Sequence, residues 1–357
     1  MNGKPKIIVE QGMGAAAIDA LRAVGDVVIL NRSDEPSLLA AATDADAVVV
    51  RSYGTVTARV IAAATRLRVI GRAGVGLDRV NLDAARARGI PVVYTPAAST
   101  ESVAELTVGL MLALERTIPR GDAMIRDGRF MEARASHGLR ALHGARELRG
   151  LTLGIVGLGR IGSAVARICG PGLGMNVIYN DIRPTNELPW FGEFGEADSC
   201  FLSPVACNLE VGRVPPADSN ANRPSRPILT AVDKPTLYAT ADLVSLHVPL
   251  TDQTRGLINS AALRKFKPTA TLINTSRGPV INGVDLAGAL RDGVLAGAAL
   301  DVFDPEPPPP GDPLLSAPNL LMSPHAGART EAALSRMDDV VHDVIAILQN
   351  HPPTHVA

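Results

Sequence analysis

A strand-like apolar run ends in three spaced glycines: Leu153-Gly154-Ile155-Val156-Gly157-Leu158-Gly159-Arg160-Ile161-Gly162. A helix-forming stretch rich in Ala, Val and Ile follows, to residue 168. Gly157 permits a tight turn, Gly159 lets the backbone approach a pyrophosphate, and Gly162 lets helix and strand pack closely. The helix N-terminus then faces the anion. A glycine-rich strand–helix turn also occurs for packing alone, so the next elements decide. A second strand, residues 176–179, leads to Asp181, 19 residues after Gly162. An acid there accepts hydrogen bonds from the adenosine ribose hydroxyls and repels a 2′-phosphate. Strand, glycines, helix, strand and acid together imply a dinucleotide site with NAD preferred over NADP, and Arg183 leaves a relaxed choice open.

This unit does not stand alone. Strand-like runs at residues 7–9, 27–30, 47–50, 69–70 and 92–94 alternate with helical stretches such as 15–24 and 82–88. The alternation restarts at 151–156 and continues through 176–179, 243–247, 271–273, 298–302 and 320–322. Strands separated by helices of this length imply βαβ units and parallel sheets. With 357 residues the chain has material for two such domains. Between them residues 101–148 read as helix-rich, with Val103, Leu106, Leu110 and Leu114 at near-helical spacing. An amphipathic helix over 330–349 closes the chain and could return to the first domain. Residues 184–240 lack periodicity and are rich in Pro, Ser and Asn, which predicts a loop insertion.

Bulk charge excludes one class of partner. Lys and Arg total 35 against 36 Asp and Glu, so nothing predicts nucleic-acid binding through net positive charge. The longest apolar run, near residues 106–114, is too short to span a bilayer. The N-terminus has no signal-like apolar segment, so a cytoplasmic location is expected. Three cysteines in a chain of this length do not form a disulfide framework. Cys200 and Cys207, seven residues apart with no nearby histidine, do not suggest a metal site.

Three more clusters fall where strands end, and ligands of open α/β sheets sit outside the carboxyl ends of strands. Asn274-Thr275-Ser276-Arg277-Gly278 offers an arginine able to clamp a carboxylate. Asp301-Val302-Phe303-Asp304-Pro305-Glu306-Pro307 offers carboxylates, and Ser323-Pro324-His325-Ala326-Gly327 a histidine. Each has a plain reading, as a surface arginine, loop charges and a structural histidine. Together at one sheet edge they make a coherent set. Reduction of a ketone leaves an alkoxide that needs a proton, and His325 is the natural donor. Glu306 would orient the imidazole, and Arg277 would anchor a 2-oxo acid beside the nicotinamide.

In this order the motifs resemble the D-isomer-specific 2-hydroxyacid dehydrogenases over nearly the whole chain. Gly71-Arg72-Ala73-Gly74-Val75-Gly76-Leu77-Asp78, Glu101-Ser102-Val103-Ala104-Glu105-Leu106-Thr107 and Ser245-Leu246-His247-Val248-Pro249-Leu250-Thr251 carry the resemblance with those above. The resemblance implies an α/β fold of two doubly wound parallel-sheet domains, a Rossmann NAD-binding domain inserted into a flavodoxin-like substrate domain. The substrate domain would be residues 1–100 plus 328–357. The cofactor domain would be 101–327, with a dimerisation arm at 101–150 and the active site in the interdomain cleft. It implies Arg277, Glu306 and His325 as the catalytic set. Around NAD it implies Gly157, Gly159, Arg160, Ile161, Gly162, Asp181, Thr275, Ser276, Arg277, Asp301, His325, Gly327 and Ala328. The substrate would meet Arg51, Arg72, Arg277 and the backbone amides of Gly74, Val75 and Gly76. A homodimer and a small 2-hydroxy or 2-oxo acid substrate are implied as well.

Within the family, Val50-Arg51-Ser52 and Gly71-Arg72-Ala73-Gly74 resemble 3-phosphoglycerate dehydrogenases, where such arginines face a phosphate. Against that, Gly54 and Arg79 depart from that subgroup, and the chain ends at Ala357 with no serine-sensing domain expected. Glyoxylate or hydroxypyruvate reduction is the alternative substrate reading. Two rival functions exist on the same residues. One is an NAD(H)-sensing binding protein of the C-terminal-binding-protein corepressor type, to which Pro96-Ala97-Ala98-Ser99 is similar. The other, a methyltransferase using the glycine loop for S-adenosylmethionine, leaves the downstream motifs unexplained.

Overall fold

The computed structural model describes residues 4–51, 54–134, 145–184, 187–188 and 229–357. The chain divides into two compact units, Met1–Ser99 with Ala328–Ala357, and Thr100–Gly327.

The first unit is a sheet of five parallel strands in the order β2-β1-β3-β4-β5. These are β1 (Lys6–Glu10), β2 (Asp26–Leu30), β3 (Ala47–Val50), β4 (Val69–Arg72) and β5 (Val92–Tyr94). That is the flavodoxin-type strand order. A parallel sheet covered on both faces needs apolar residues at successive positions, which is why β3 reads Ala-Val-Val-Val with every residue buried. Side chains alternate between faces, so Ile7, Val9 and Val49 join one cluster while Ile8, Val48 and Val50 join the other. The helices Glu331–Asp338 and Val340–Leu348 return to cover the first face through Met337, Val341 and Val344. Gly71 makes this approach possible, since a Cβ there would lie 2.8 Å from Val344 Cγ2. The amphipathic stretch expected over 330–349 is thus two helices, with Asp339 between them.

The second unit is a sheet of seven parallel strands ordered β12-β11-β10-β9-β6-β7-β8. Its strands are β6 (Thr152–Val156), β7 (Asn176–Asn180), β8 (Leu229–Ala231), β9 (Leu243–Leu246), β10 (Thr271–Asn274), β11 (Gly297–Leu300) and β12 (Leu320–Met322). From β8 through β11 this is the dinucleotide-binding order, reversing between β6 and β9. The helix Thr100–Glu115 lays Ala104, Val108 and Met111 against Leu153, Ile155, Ile273 and Ala299 of the sheet. Its last residue, Glu115, is buried and receives two hydrogen bonds from Arg146, at 2.7 and 2.9 Å, and one from the Thr271 hydroxyl at 2.8 Å.

The sequence expectation of a loop insertion over 184–240 needs correction at its end. Leu229–Ala231 pairs with β7, and Lys234–Thr240 is a helix whose N-cap Asp233 accepts the Thr236 N–H at 2.8 Å. A strand of three residues carries too little alternation to read as one. The greater part of the expected insertion, with Cys200 and Cys207, lies outside the described residues. Among the described residues no helix is long and apolar enough to cross a membrane. No described group of three or more His, Cys, Asp or Glu side chains could hold a metal ion.

Candidate active site

Because every strand of the second sheet is parallel, all their carboxyl ends lie on one edge. Along that edge, in sheet order, follow His325 after β12, Asp301 and Glu306 after β11, Arg277 after β10, and His247 after β9. Beyond the switch point come the glycine turn after β6 and Asp181 after β7.

The glycine turn has the shape a pyrophosphate needs. Gly157 has φ of 92°, and a Cβ on it would lie 2.8 Å from the His247 carbonyl oxygen. A Cβ on Gly162 would lie 2.2 Å from the Gly157 carbonyl oxygen, so any side chain there would force helix and turn apart. Gly159 differs. Among the described residues, the one atom near a Cβ built on it is Nη2 of Arg183, at 3.8 Å, so the ground before it is open. The helix Arg160–Arg167 starts there, with Arg160 exposed at its first position and Ile161 partly buried against the core. A tight turn, an open second glycine and a helix N-terminus together fit a dinucleotide phosphate.

Asp181 stands just past the end of β7, and its side chain is only 6% exposed. Oδ2 accepts the Leu158 N–H at 2.8 Å and Nη2 of Arg183 at 3.1 Å; Oδ1 accepts the Arg183 N–H at 2.9 Å and its Nε at 3.1 Å. Burial alone would push this carboxyl up; the Arg183 guanidinium and these N–H donors outweigh it and hold the group below the usual carboxylate range.

At the other end of the edge, His325 Nδ1 lies 2.8 Å from Glu306 Oε2. The second carboxylate oxygen, Oε1, accepts the Phe303 N–H at 3.0 Å, which fixes the loop that carries it. Burial raises the Glu306 carboxyl. The bond from His325, the Phe303 N–H and the nearby Arg277 charge together outweigh burial, so the group stays ionised below its ordinary range. Arg277 is half-buried, and Nη1 donates to the Ser276 carbonyl at 2.7 Å. Gly278 lets the Arg277 turn press against the Glu306 loop, since a Cβ on it would lie 1.9 Å from the Phe303 carbonyl oxygen. The structure therefore brings Arg277, Glu306 and His325 together.

His325 sits in the left-handed region at φ of 51°, a conformation that non-glycine residues hold only when surroundings impose it. Asp301 imposes it. Buried at 1% exposure, its carboxylate accepts the Ala326 N–H at 2.8 Å and the Gly327 N–H at 2.9 Å. Thr275 and Ser276 are buried with their hydroxyls turned inward, to Thr107 Oγ1 at 2.8 Å and Asn274 Oδ1 at 2.7 Å. Two residues of this edge escaped the sequence reading as site residues. Asn274 braces the Arg277 turn by accepting the Ser276 N–H and donating to the Arg277 carbonyl at 2.9 Å. His247 meets Ser245 Oγ through Nε2 at 2.8 Å, and burial pushes its imidazole down to about 3, so it is neutral. Both stand inside motifs quoted above, and a polar side chain at the last or next position of an apolar strand was the available signal.

The remaining candidates belong to the first unit. Arg51 is buried, its Nη1 donating to the Gly12 carbonyl and lying 3.3 Å from Asp338 Oδ1, with Nη2 3.4 Å from the Leu334 carbonyl. Arg72 donates to the carbonyls of Arg51, Ala73 at 2.8 Å and Gly76 at 2.9 Å, wrapping the turn at Gly74, Val75 and Gly76. The Gly74 N–H is taken by Thr95 Oγ1 at 3.0 Å, with Gly74 at φ of 145°. Both guanidinium groups are thus turned onto protein carbonyls. Ala328 opens the second segment of this unit.

Comparison with known proteins bears on the fold and the family. The model of the NAD-binding domain of D-isomer specific 2-hydroxyacid dehydrogenases matches residues 108–199 and 191–327. A glyoxylate reductase of Thermofilum pendens is 36% identical over 355 residues, 98% of this chain and 93% of that protein. A D-3-phosphoglycerate dehydrogenase of Methanocaldococcus jannaschii is 37% identical over 340 residues, covering 95% of this chain but 56% of that protein. Among solved structures, a protein of Thermus thermophilus superposes with a TM-score of 0.80 at 34% identity, over 99% of both chains. The D-lactate dehydrogenase of Aquifex aeolicus, solved with NAD and lactic acid, gives 0.77 at 26% identity over 96% of both. With its flavodoxin-type and dinucleotide-binding sheets, this chain belongs to the D-isomer specific 2-hydroxyacid dehydrogenase family of NAD-dependent enzymes.

Proposed function

We propose that the chain interconverts a short 2-oxo acid and its D-2-hydroxy acid with NAD(H), using His325 as the proton donor and acceptor. The observation that carries this reading is the 2.8 Å contact between His325 Nδ1 and Glu306 Oε2 beside Arg277. With Nδ1 engaged by the carboxylate, Nε2 is the nitrogen left for substrate. A bound nicotinamide supplies the hydride donor or acceptor, and Gly157, Gly159, Gly162, Arg160 and Asp181 would hold its dinucleotide. Glu306 keeps a negative charge beside Nδ1 and holds the ring in orientation. In reduction Nε2 gives a proton to the substrate oxygen, and in oxidation it takes one back. Arg277 anchors the substrate carboxylate. Asp301 acts through the turn it holds, as a positioning residue for His325.

For the substrate, the engagement of Arg51 and Arg72 by backbone carbonyls and Asp338 favours an unphosphorylated acid of the glyoxylate or hydroxypyruvate kind. The test is NADH oxidation with purified protein against glyoxylate, hydroxypyruvate, 3-phosphohydroxypyruvate, pyruvate and 2-oxoglutarate. Highest kcat/KM on glyoxylate or hydroxypyruvate supports the assignment. A preference of about 100-fold or more for the phosphorylated acid, some 2.7 kcal/mol in transition-state binding, overturns it. A flat panel with NADH bound would favour the ligand-sensing alternative.

A further inference from the structure

We infer that Arg183 is a specificity-determining residue that opens the ribose end of the cofactor site to a 2′-phosphate, so that the chain binds NADPH as well as NADH. The inference rests on the dinucleotide site assigned above. A lone acid after the second strand of this fold selects NAD in two ways: it accepts the ribose hydroxyls, and its charge repels a 2′-phosphate. In this chain the acid is not alone. Nε and Nη2 of Arg183 span both oxygens of Asp181, each at 3.1 Å. The pair is electrically neutral, so the like-charge repulsion on which discrimination depends is cancelled at its source.

The acceptor capacity of Asp181 is also spent. Its two oxygens receive four N–H donors, from Leu158, the Arg183 backbone and the Arg183 guanidinium twice. A carboxylate offers about four lone-pair directions. Ribose hydroxyls can therefore bond to Asp181 only by displacing the guanidinium, whereas a 2′-phosphate can take the guanidinium from it. The position of the guanidinium suits that exchange. It is 40% exposed, and its Nη2 is the nearest described atom to the open face of Gly159, 3.8 Å from a Cβ there. A planar fork beside the dinucleotide turn matches a phosphate bidentately. Among the described residues, Glu187 is the other acid whose charge acts on Arg183, more weakly than Asp181 does.

The experiment needs no turnover. Dissociation constants of NADH, NADPH, 5′-ADP and 2′,5′-ADP are measured by fluorescence and calorimetry for the whole chain, the wild type and the variants Arg183→Ala, Arg183→Gln and Asp181→Asn. The wild type is expected to bind NADH and NADPH within about tenfold of each other. Arg183→Ala and Arg183→Gln should each widen the ratio in favour of NADH by about tenfold or more, through weaker NADPH and unchanged or tighter NADH binding. Asp181→Asn should move it the other way. The 2′,5′-ADP to 5′-ADP ratio should follow the same order, which localises the effect to the ribose end. A wild-type preference for NADH above about 100-fold, or a ratio unmoved by both Arg183 substitutions, overturns the inference. Failure to bind either dinucleotide would instead overturn the cofactor site itself.

Discussion

Replacing Glu306 by Gln keeps the shape of the side chain but removes its charge and one of its two acceptor oxygens. The amide oxygen can still accept the Phe303 N–H that now goes to Oε1 at 3.0 Å, so the loop keeps its brace. The amide NH2 then faces His325 Nδ1 across 2.8 Å and can only donate, so the charge and the acceptor for an Nδ1–H are lost together. Two unit charges about 4 Å apart attract by about 4 kcal/mol at an effective dielectric of about 20. The side chains are 47% and 30% exposed, so water screens much of this. Losing this bond then costs about 1–2 kcal/mol, or about 5- to 30-fold in rate at 1.36 kcal/mol per tenfold. The loss should fall on kcat/KM for the 2-oxo acid, because the ring that hands over the proton is no longer held, while NADH affinity stays unchanged. The assay is kcat/KM in both directions, with NADH affinity measured alongside. Unchanged kcat/KM, or NADH affinity lost in proportion, would refute the role given to Glu306.

Three further outcomes follow from named contacts. His247 is held neutral down to about 3 against an ordinary 6.5, so within that window the unfolded chain binds the extra proton. Stability should therefore fall on acidification with a slope contribution of up to about 1.4 kcal/mol per pH unit, and urea titrations of His247→Asn should show that part missing. Arg146→Ala leaves Glu115 buried without its counter-charge, and a loss of about 3–5 kcal/mol is expected in denaturant unfolding. An unchanged midpoint would show that the pair is solvated. Gly278→Ala must push the Arg277 turn off the Phe303 carbonyl, so turnover should drop by about 100-fold while NADH binding is kept. Equal loss of both would mean that the turn serves the cofactor domain as a whole.

The fold was legible because parallel α/β proteins write each layer plainly. Eleven of the twelve described strands coincide with apolar runs in the sequence, and the exception, Leu229–Ala231, is three residues with a threonine at its centre. Fold order followed from family resemblance and strand alternation, whereas the break at Asp339 did not, because helical spacing continues across it. At the site, residue type and strand-end position were enough to nominate Arg277, Glu306 and His325. They could not show what those residues lean on. The grip of Asp301 on the turn after His325, the brace from Asn274 and the clamp of Arg183 on Asp181 are side-chain geometries. The inward turn of Arg51 and Arg72 is another: a sequence gives an arginine's charge but not the direction of its guanidinium.

The central claim is that proton transfer and cofactor binding lie on separate groups of the same sheet edge. Its most direct measurement is His325→Ala, with 2-oxo acid reduction and NADH dissociation constant determined on the same preparation. Turnover reduced by at least about 100-fold with NADH affinity within about threefold is the result expected. Retained turnover, or NADH affinity lost in proportion, would contradict the account.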